Sequence, residues 1–153
     1  MSDMIKKTEC VRAGVGIMLL RDGMVLLGKR HDDPNKASSE LNGEGTWTMP
    51  GGKLDFGDKI ADGAARELME ETGIEIDPSK LKLHSVTNER TPKAHFVTIG
   101  FICKESEGEA RALEPDEITE WKWFALDDLP EKVFPTSFKM LEQYKSGEIY
   151  KYS

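Results

Sequence analysis

The sequence predicts an α+β fold, an α/β/α sandwich, from the order strand, strand, loop, helix, strands, helix. Three observations predict it. Apolar runs near the N-terminus are split by a tight-turn signal. Alternating runs follow residue 80. Two stretches, one central and one C-terminal, carry apolar residues at helical spacing.

Residues 9–20 (ECVRAGVGIMLL) read as a strand, in which Gly14 and Gly16 permit close packing or a bulge. Arg21-Asp22-Gly23 is a turn, and residues 24–30 (MVLLGKR) return as the second strand of a hairpin. Residues 31–46 are polar, rich in Gly, Pro and Asn, and longer than most connections. Such loops are either lids over a site or mobile. A short strand at 47–49 leads into Pro50 and the pair Gly51-Gly52, which bars regular structure and lets backbone approach a ligand.

After Asp58 the pattern turns helical, with Ile60, Ala61, Ala64, Ala65, Leu68 and Thr72 recurring every three or four residues. Asp58 suits the N-cap and Gly73 the C-terminal stop. At 100° per residue, Glu67, Glu70 and Glu71 share one face, away from the Ile60/Ala64/Leu68 stripe. Gly63, one turn earlier, is expected to leave open space beside them. Like charges at this spacing repel, and Arg66 offsets part of that by pairing with Glu70 at i+4. Taken alone, such a cluster describes a solvated acidic face. Beside a glycine-opened loop it also suits a hard divalent cation, which takes carboxylates, carbonyls and water.

Asp77-Pro78-Ser79 is a turn, residues 81–89 (LKLHSVTNE) alternate as a strand, and residues 95–103 (HFVTIGFIC) form its hairpin partner. Residues 104–113 connect strands. Trp121 and Trp123 point to one face of the next strand, where core packing explains them. Pro135-Thr136-Ser137 is expected to cap a final helix that turns Phe138, Leu141 and Tyr144 inward and ends near Gly147.

The chain has 153 residues and reads as one domain over 1–153, with 38% hydrophobic and 32% charged residues. A net charge of −7 argues against duplex nucleic acid or an anionic membrane as a partner. No apolar run of signal or transmembrane length opens the chain, so a cytoplasmic protein is expected. Cys10 and Cys103 form no CxxC, and reduced buried thiols are the default.

Set out as G-x5-D-x7-R-E-L-x-E-E-x-G-I, residues 52–74 resemble the box of the Nudix hydrolases, the MutT-like pyrophosphohydrolases. Gly52, Arg66, Glu67, Leu68, Glu70, Glu71, Gly73 and Ile74 match. Asp58 departs from it, standing where the family has Glu, with the charge kept and the side chain shortened. Two flanks add to the resemblance: VTNERTPKAHFVTIGF at 86–101 and EPDEITEWKWFALDDLP at 114–130.

The resemblance implies the Nudix fold, with a mixed sheet between helices, and metal-dependent cleavage of a nucleotide phosphoanhydride. Its implied metal site comprises Gly51 (through its carbonyl), Glu67, Glu70, Glu71 and Glu114, holding Mg²⁺ with Mn²⁺ as a substitute. Its implied catalytic residues are Glu67, Arg66 and Glu117. Glu67 and a downstream Glu are alternatives for the base, and Glu114 and Glu117 are not separated. Arg30, Lys53, Asn88 and His95 are the candidates for substrate binding. A nucleoside triphosphate, cleaved to monophosphate and pyrophosphate, is the expected substrate. ADP-ribose or another nucleoside diphosphate derivative is the rival, and a non-catalytic nucleotide sensor is a second. A small nucleotide is the expected partner, and relatives commonly form homodimers.

Overall fold

Strand β1 (Val11–Arg21) is the hub of the sheet. In the computed structural model, which describes residues 9–36 and 43–150, it pairs with three other strands. The middle of the polar loop, at 37–42, lies outside the described residues.

β1 turns into β2 (Met24–Arg30) through Asp22 and Gly23 at φ of 49° and 77°, the left-handed pair of a tight hairpin. Two short strands follow, β3 (Trp47–Thr48) and β4 (Gly51–Lys53). Beyond helix α1 (Ile60–Thr72) come β5 (Lys82–Arg90), β6 (His95–Cys103) and β7 (Ile118–Ala125), and the helix α2 (Pro135–Ser146) closes the order. The sheet runs β3-β2-β1-β6-β5, with β4 on β1 and β7 on β2. β1 and β6 are parallel, from Val11 opposite His95 to Leu19 opposite Cys103, while the other pairings of named strands are antiparallel. This is the expected mixed sheet.

The alternation of β1 builds two cores. Ile17 and Leu19 pack with Leu26, Phe101 and, from α1, Ala64 and Leu68. Met18 and Leu20 pack with Val25, Leu27 and, from α2, Met140 and Leu141. The helices therefore cover opposite faces of the sheet. Leu68 is fully buried, so truncation to Ala would cost about 2–5 kcal/mol. Trp121 and Trp123 pack against the first core, as their spacing predicts.

Several local expectations are corrected. Gly51 and Gly52 form strand β4 rather than irregular backbone, in register with Gly16 and Val15. Gly51 is required there by proximity, since a Cβ would stand 2.1 Å from the Val15 carbonyl oxygen. The N-cap of α1 is Lys59, without a side-chain cap, and Ile60 is exposed. Asp58 instead turns its carboxylate toward Asp55 and Arg66. Gly73 does stop the helix, at φ 80°.

In α2, Pro135 occupies the first turn but no side chain caps it; the Ser137 hydroxyl accepts from the Met49 amide instead. Phe138 is exposed, and Met140 takes the inward position expected of it. Asp77-Pro78-Ser79 opens a short 3-10 turn, capped by the Asp77 carboxylate. Neither cysteine forms a disulfide; Cys103 is buried as expected, but Cys10 is exposed.

Candidate active site

The functional candidates gather where β4 and the first core face of α1 meet. A cavity of about 880 Å³ opens there, and Arg30, Gly51, Lys53, Glu67, Glu71, Glu114 and Glu117 are among its lining residues.

The geometry follows from the glycine pair. Because Gly51 has no side chain, β4 lies close against β1, and the Gly51 amide donates to Glu71 Oε1 at 3.0 Å. Glu71, on the face that taken alone reads as solvated, is buried at 9% exposure. Burial pushes its carboxyl well above the ordinary glutamate range; the Gly51 hydrogen bond opposes this, and the neighbouring Glu67, Glu114 and Glu117 add to it. The Trp121 indole N–H donates to the Glu71 backbone carbonyl at 3.2 Å, fixing the end of the helix to β7.

Glu67 lies against Gly52, where a Cβ would stand 2.7 Å from Glu67 Oε2. Burial raises Glu67 as well, with Glu70 and Glu114 adding and Arg66 opposing. Arg66 sits at the hub of an acidic set. Its guanidinium reaches Asp58 at 2.9 Å, Asp55 and Glu67 at 3.3 Å each, and Glu70 at 3.6 Å. The i+4 pair with Glu70 is as expected. Asp58 in turn accepts from the Asp55 amide at 2.8 Å, tying the loop before α1 to the helix. The space beside Gly63 is not open, because Leu54 and Asp58 fill it, at 3.0 and 3.2 Å from a Cβ placed there.

Arg30 is half-buried. Its Nε donates to the Gly43 carbonyl at 2.8 Å, and its guanidinium lies 5.0 Å from the Phe134 ring centroid. Burial pulls its pKa down from the ordinary value, while Glu117, Glu44 and Glu71 push it up. Lys53 is exposed over the Phe96 ring. Glu114 is raised by its partial burial and by Glu117 and Glu70. The Glu114 carbonyl accepts from the Glu117 and Ile118 amides, so both acids sit on one turn before β7.

Four candidates stand outside the lining: Arg66, Glu70, Asn88 and His95. Asn88 Oδ1 and His95 Nε2 hydrogen-bond to each other across β5 and β6, and neither lines the cavity. Glu70 is half exposed and also outside the lining. The cavity adds residues that the sequence did not single out for function, notably Phe96, Thr98, Thr136 and Met140. Hydropathy places each of these in a strand or helix, and only the closing of α2 over β1 and β6 brings them to a common wall.

The donor set fits a hard divalent cation. It is all oxygen, and mutual repulsion and burial leave several carboxyls raised, a cost that a cation would relieve. Among the described residues, no three His, Cys, Asp or Glu side chains already stand in a metal-holding arrangement. A cation would therefore draw the side chains together or share its shell with water.

Comparison with known proteins gives a consistent answer. The model of the NUDIX domain matches residues 11–144. An RNA pyrophosphohydrolase of Erythrobacter litoralis is 30% identical over 142 residues, covering 81% of this chain and 82% of that protein. An ADP-ribose pyrophosphatase of Methanocaldococcus jannaschii is 30% identical over 124 residues, 81% of this chain and 67% of that protein. The crystal structure of a MutT NUDIX hydrolase from Burkholderia pseudomallei superposes with a TM-score of 0.77 at 34% identity, covering 88% of this chain and 98% of that one. The chain belongs to the Nudix hydrolases, has their fold, and is an enzyme acting on phosphoanhydrides.

Proposed function

We propose that this enzyme hydrolyses a nucleoside triphosphate to the monophosphate and pyrophosphate, with Mg²⁺ as the metal. The observation that carries the reading is the joining of five carboxylates (Asp55, Glu67, Glu71, Glu114 and Glu117) and two cations (Arg30 and Lys53) in one cavity.

A phosphoanhydride is densely negative and repels an incoming nucleophile, so positive charge must meet it. Nudix hydrolases generally use divalent cations; when bound, Mg²⁺ would neutralise the phosphates and make a water more acidic. Glu67 and Glu71 would hold it from inside, with the Gly51 carbonyl, Glu70 and Glu114 as further oxygens. Arg30 and Lys53, which line the same cavity, supply charge to the phosphate oxygens; the Gly43 carbonyl and the Phe134 ring hold the Arg30 guanidinium in place. Arg66 holds Glu67 in position. A carboxylate, Glu67 or Glu117, accepts the proton of the attacking water. The new P–O bond forms as the anhydride P–O bond breaks, and pyrophosphate leaves with the bonding electrons.

A second reading is that the anhydride is carried by RNA, supported by the name of the Erythrobacter litoralis relative. The net charge of −7 favours the smaller substrate, because a polyanion adds repulsion with each phosphate.

Pyrophosphate and phosphate release with Mg²⁺ would be followed for nucleoside triphosphates, ADP-ribose and a 5′-triphosphorylated RNA oligonucleotide. Pyrophosphate from free triphosphates supports the first reading. Turnover of the oligonucleotide alone supports the second, and turnover of ADP-ribose alone overturns both.

A further inference from the structure

Resting on the reading that the site holds a divalent cation, we propose that Trp121 of β7 is a positioning residue for it. Its indole fastens Glu71 to the segment that carries Glu114 and Glu117, and so sets how tightly the cation is held.

The last carbonyls of a helix lack intrahelical donors. In α1 three different groups meet them. The Gly73 amide donates to Met69 at 2.8 Å, the Arg111 amide to Thr72 at 2.9 Å, and the Trp121 indole to Glu71 at 3.2 Å. Arg111 and Trp121 flank Glu114 and Glu117 in the chain. The segment that receives the end of α1 is therefore the one that carries the second pair of acids. Its turn is also fixed from the end of β2, since the His31 amide donates to the Glu117 carbonyl at 2.8 Å. Glu71 itself is held twice, its backbone by Trp121 and its carboxylate by Gly51.

The indole is itself seated. Gly28 of β2 stands opposite Trp121 in the strand register, and a Cβ there would stand 2.7 Å from Trp121 Cζ3 and 2.6 Å from Ile118 Cγ2. The ring thus lies against bare backbone, which fixes where its N–H points. Glu67, Glu71, Glu114 and Glu117 line one cavity and repel one another, so an unfastened site would relieve that repulsion by spreading. A cation would then have to draw the acids back together and would bind more weakly. Groups that orient metal ligands from outside are worth about 10–100-fold in affinity. Trp123 provides the contrast. It lies two residues on, shares the face of β7 and packs against the same core. Its ring meets the Arg21 guanidinium at 4.8 Å, and among the described residues it has no hydrogen bond to α1.

The test measures Mn²⁺ binding by electron paramagnetic resonance, with the metal alone and no nucleotide, beside the melting temperature. Trp121→Phe, which removes the N–H donor, should weaken Mn²⁺ binding about tenfold. Gly28→Ala, which keeps the indole but displaces it, should weaken binding likewise. Trp123→Phe loses a comparable part of its ring and should melt lower, yet bind Mn²⁺ as the wild type does. The benzothiophene analogue of tryptophan at position 121 keeps the shape of the ring and lacks only the N–H. It should fold where Trp121→Phe does not, and should also bind Mn²⁺ more weakly. Unchanged binding in the folded analogue protein, or equal weakening in Trp123→Phe, overturns the inference and leaves the metal reading standing. Absence of Mn²⁺ binding in the wild type overturns both.

Discussion

The Glu71 carboxylate accepts a hydrogen bond from the Gly51 amide at 3.0 Å, locking the last turn of α1 to the strand that precedes it in the cavity wall. This contact holds a carboxylate that is only 9% exposed. A cation bound among these carboxylates would offset the cost of that burial.

Glu71 therefore has opposite roles in stability and in activity. Its folded-state carboxyl lies well above the ordinary glutamate value, mainly through burial. The sign follows: a group raised on folding gives its full stability below the unfolded pKa, about 4.3, and loses it as pH rises through the folded value. With the metal chelated, thermal unfolding is expected to shift to lower temperature as pH rises above about 4.3. Glu71→Gln, which keeps an acceptor for the Gly51 amide, should flatten that dependence and melt higher than wild type near neutrality. The same variant should lose most turnover. Equal pH dependence in the two proteins would show that Glu71 is not held as a raised acid.

Gly52 is predicted to be needed for its lack of a side chain. A Cβ there would stand 2.7 Å from Glu67 Oε2, so Gly52→Ala displaces the carboxylate rather than the strand. Turnover should fall about 10²-fold, the scale for a misplacement of about 1 Å, while circular dichroism stays native. Wild-type turnover in a folded Gly52→Ala protein would remove Glu67 from the chemistry.

Asp58, the departure from the family box, does here what a shorter acid can do: it accepts from the Asp55 amide and pairs with Arg66. Arg66 holds its carboxyl below the ordinary range. Asp58→Asn should loosen Arg66 and lower kcat several-fold with little change in KM, whereas Asp58→Glu should remain active. A dead but folded Asp58→Glu variant would mean that the shorter side chain is required by the packing against Gly63.

Chelation offers a separate check on the carboxylate cluster. EDTA should abolish turnover, and excess Mg²⁺ should restore it. Because a cation would relieve the repulsion among Glu67, Glu71 and Glu114, added Mg²⁺ should also raise the melting temperature. Turnover that persists in EDTA would point to metal-free chemistry.

The sequence by itself determined the element order apart from β4, the presence of α1 and the carboxylates on it, because periodicity and a fixed motif spacing are local properties. It also determined the Asp22-Gly23 turn and the Gly73 stop, where the sign of φ selects the residue. Other features depended on neighbours distant in sequence. That Glu71 is buried while Glu70 is exposed follows from β4 pairing with β1 and bringing Gly51 to Glu71, which a helical wheel does not contain. The exchange of Phe138 for Met140 on the inner face of α2 follows from where the helix sits over Gly16 and Gly100. The filling of the space at Gly63 by Leu54 and Asp58, and the gathering of Phe96, Thr98 and Met140 in one cavity lining, were likewise decided only by tertiary packing. Spacing along a chain states which side chains share a face; only the fold states what that face meets.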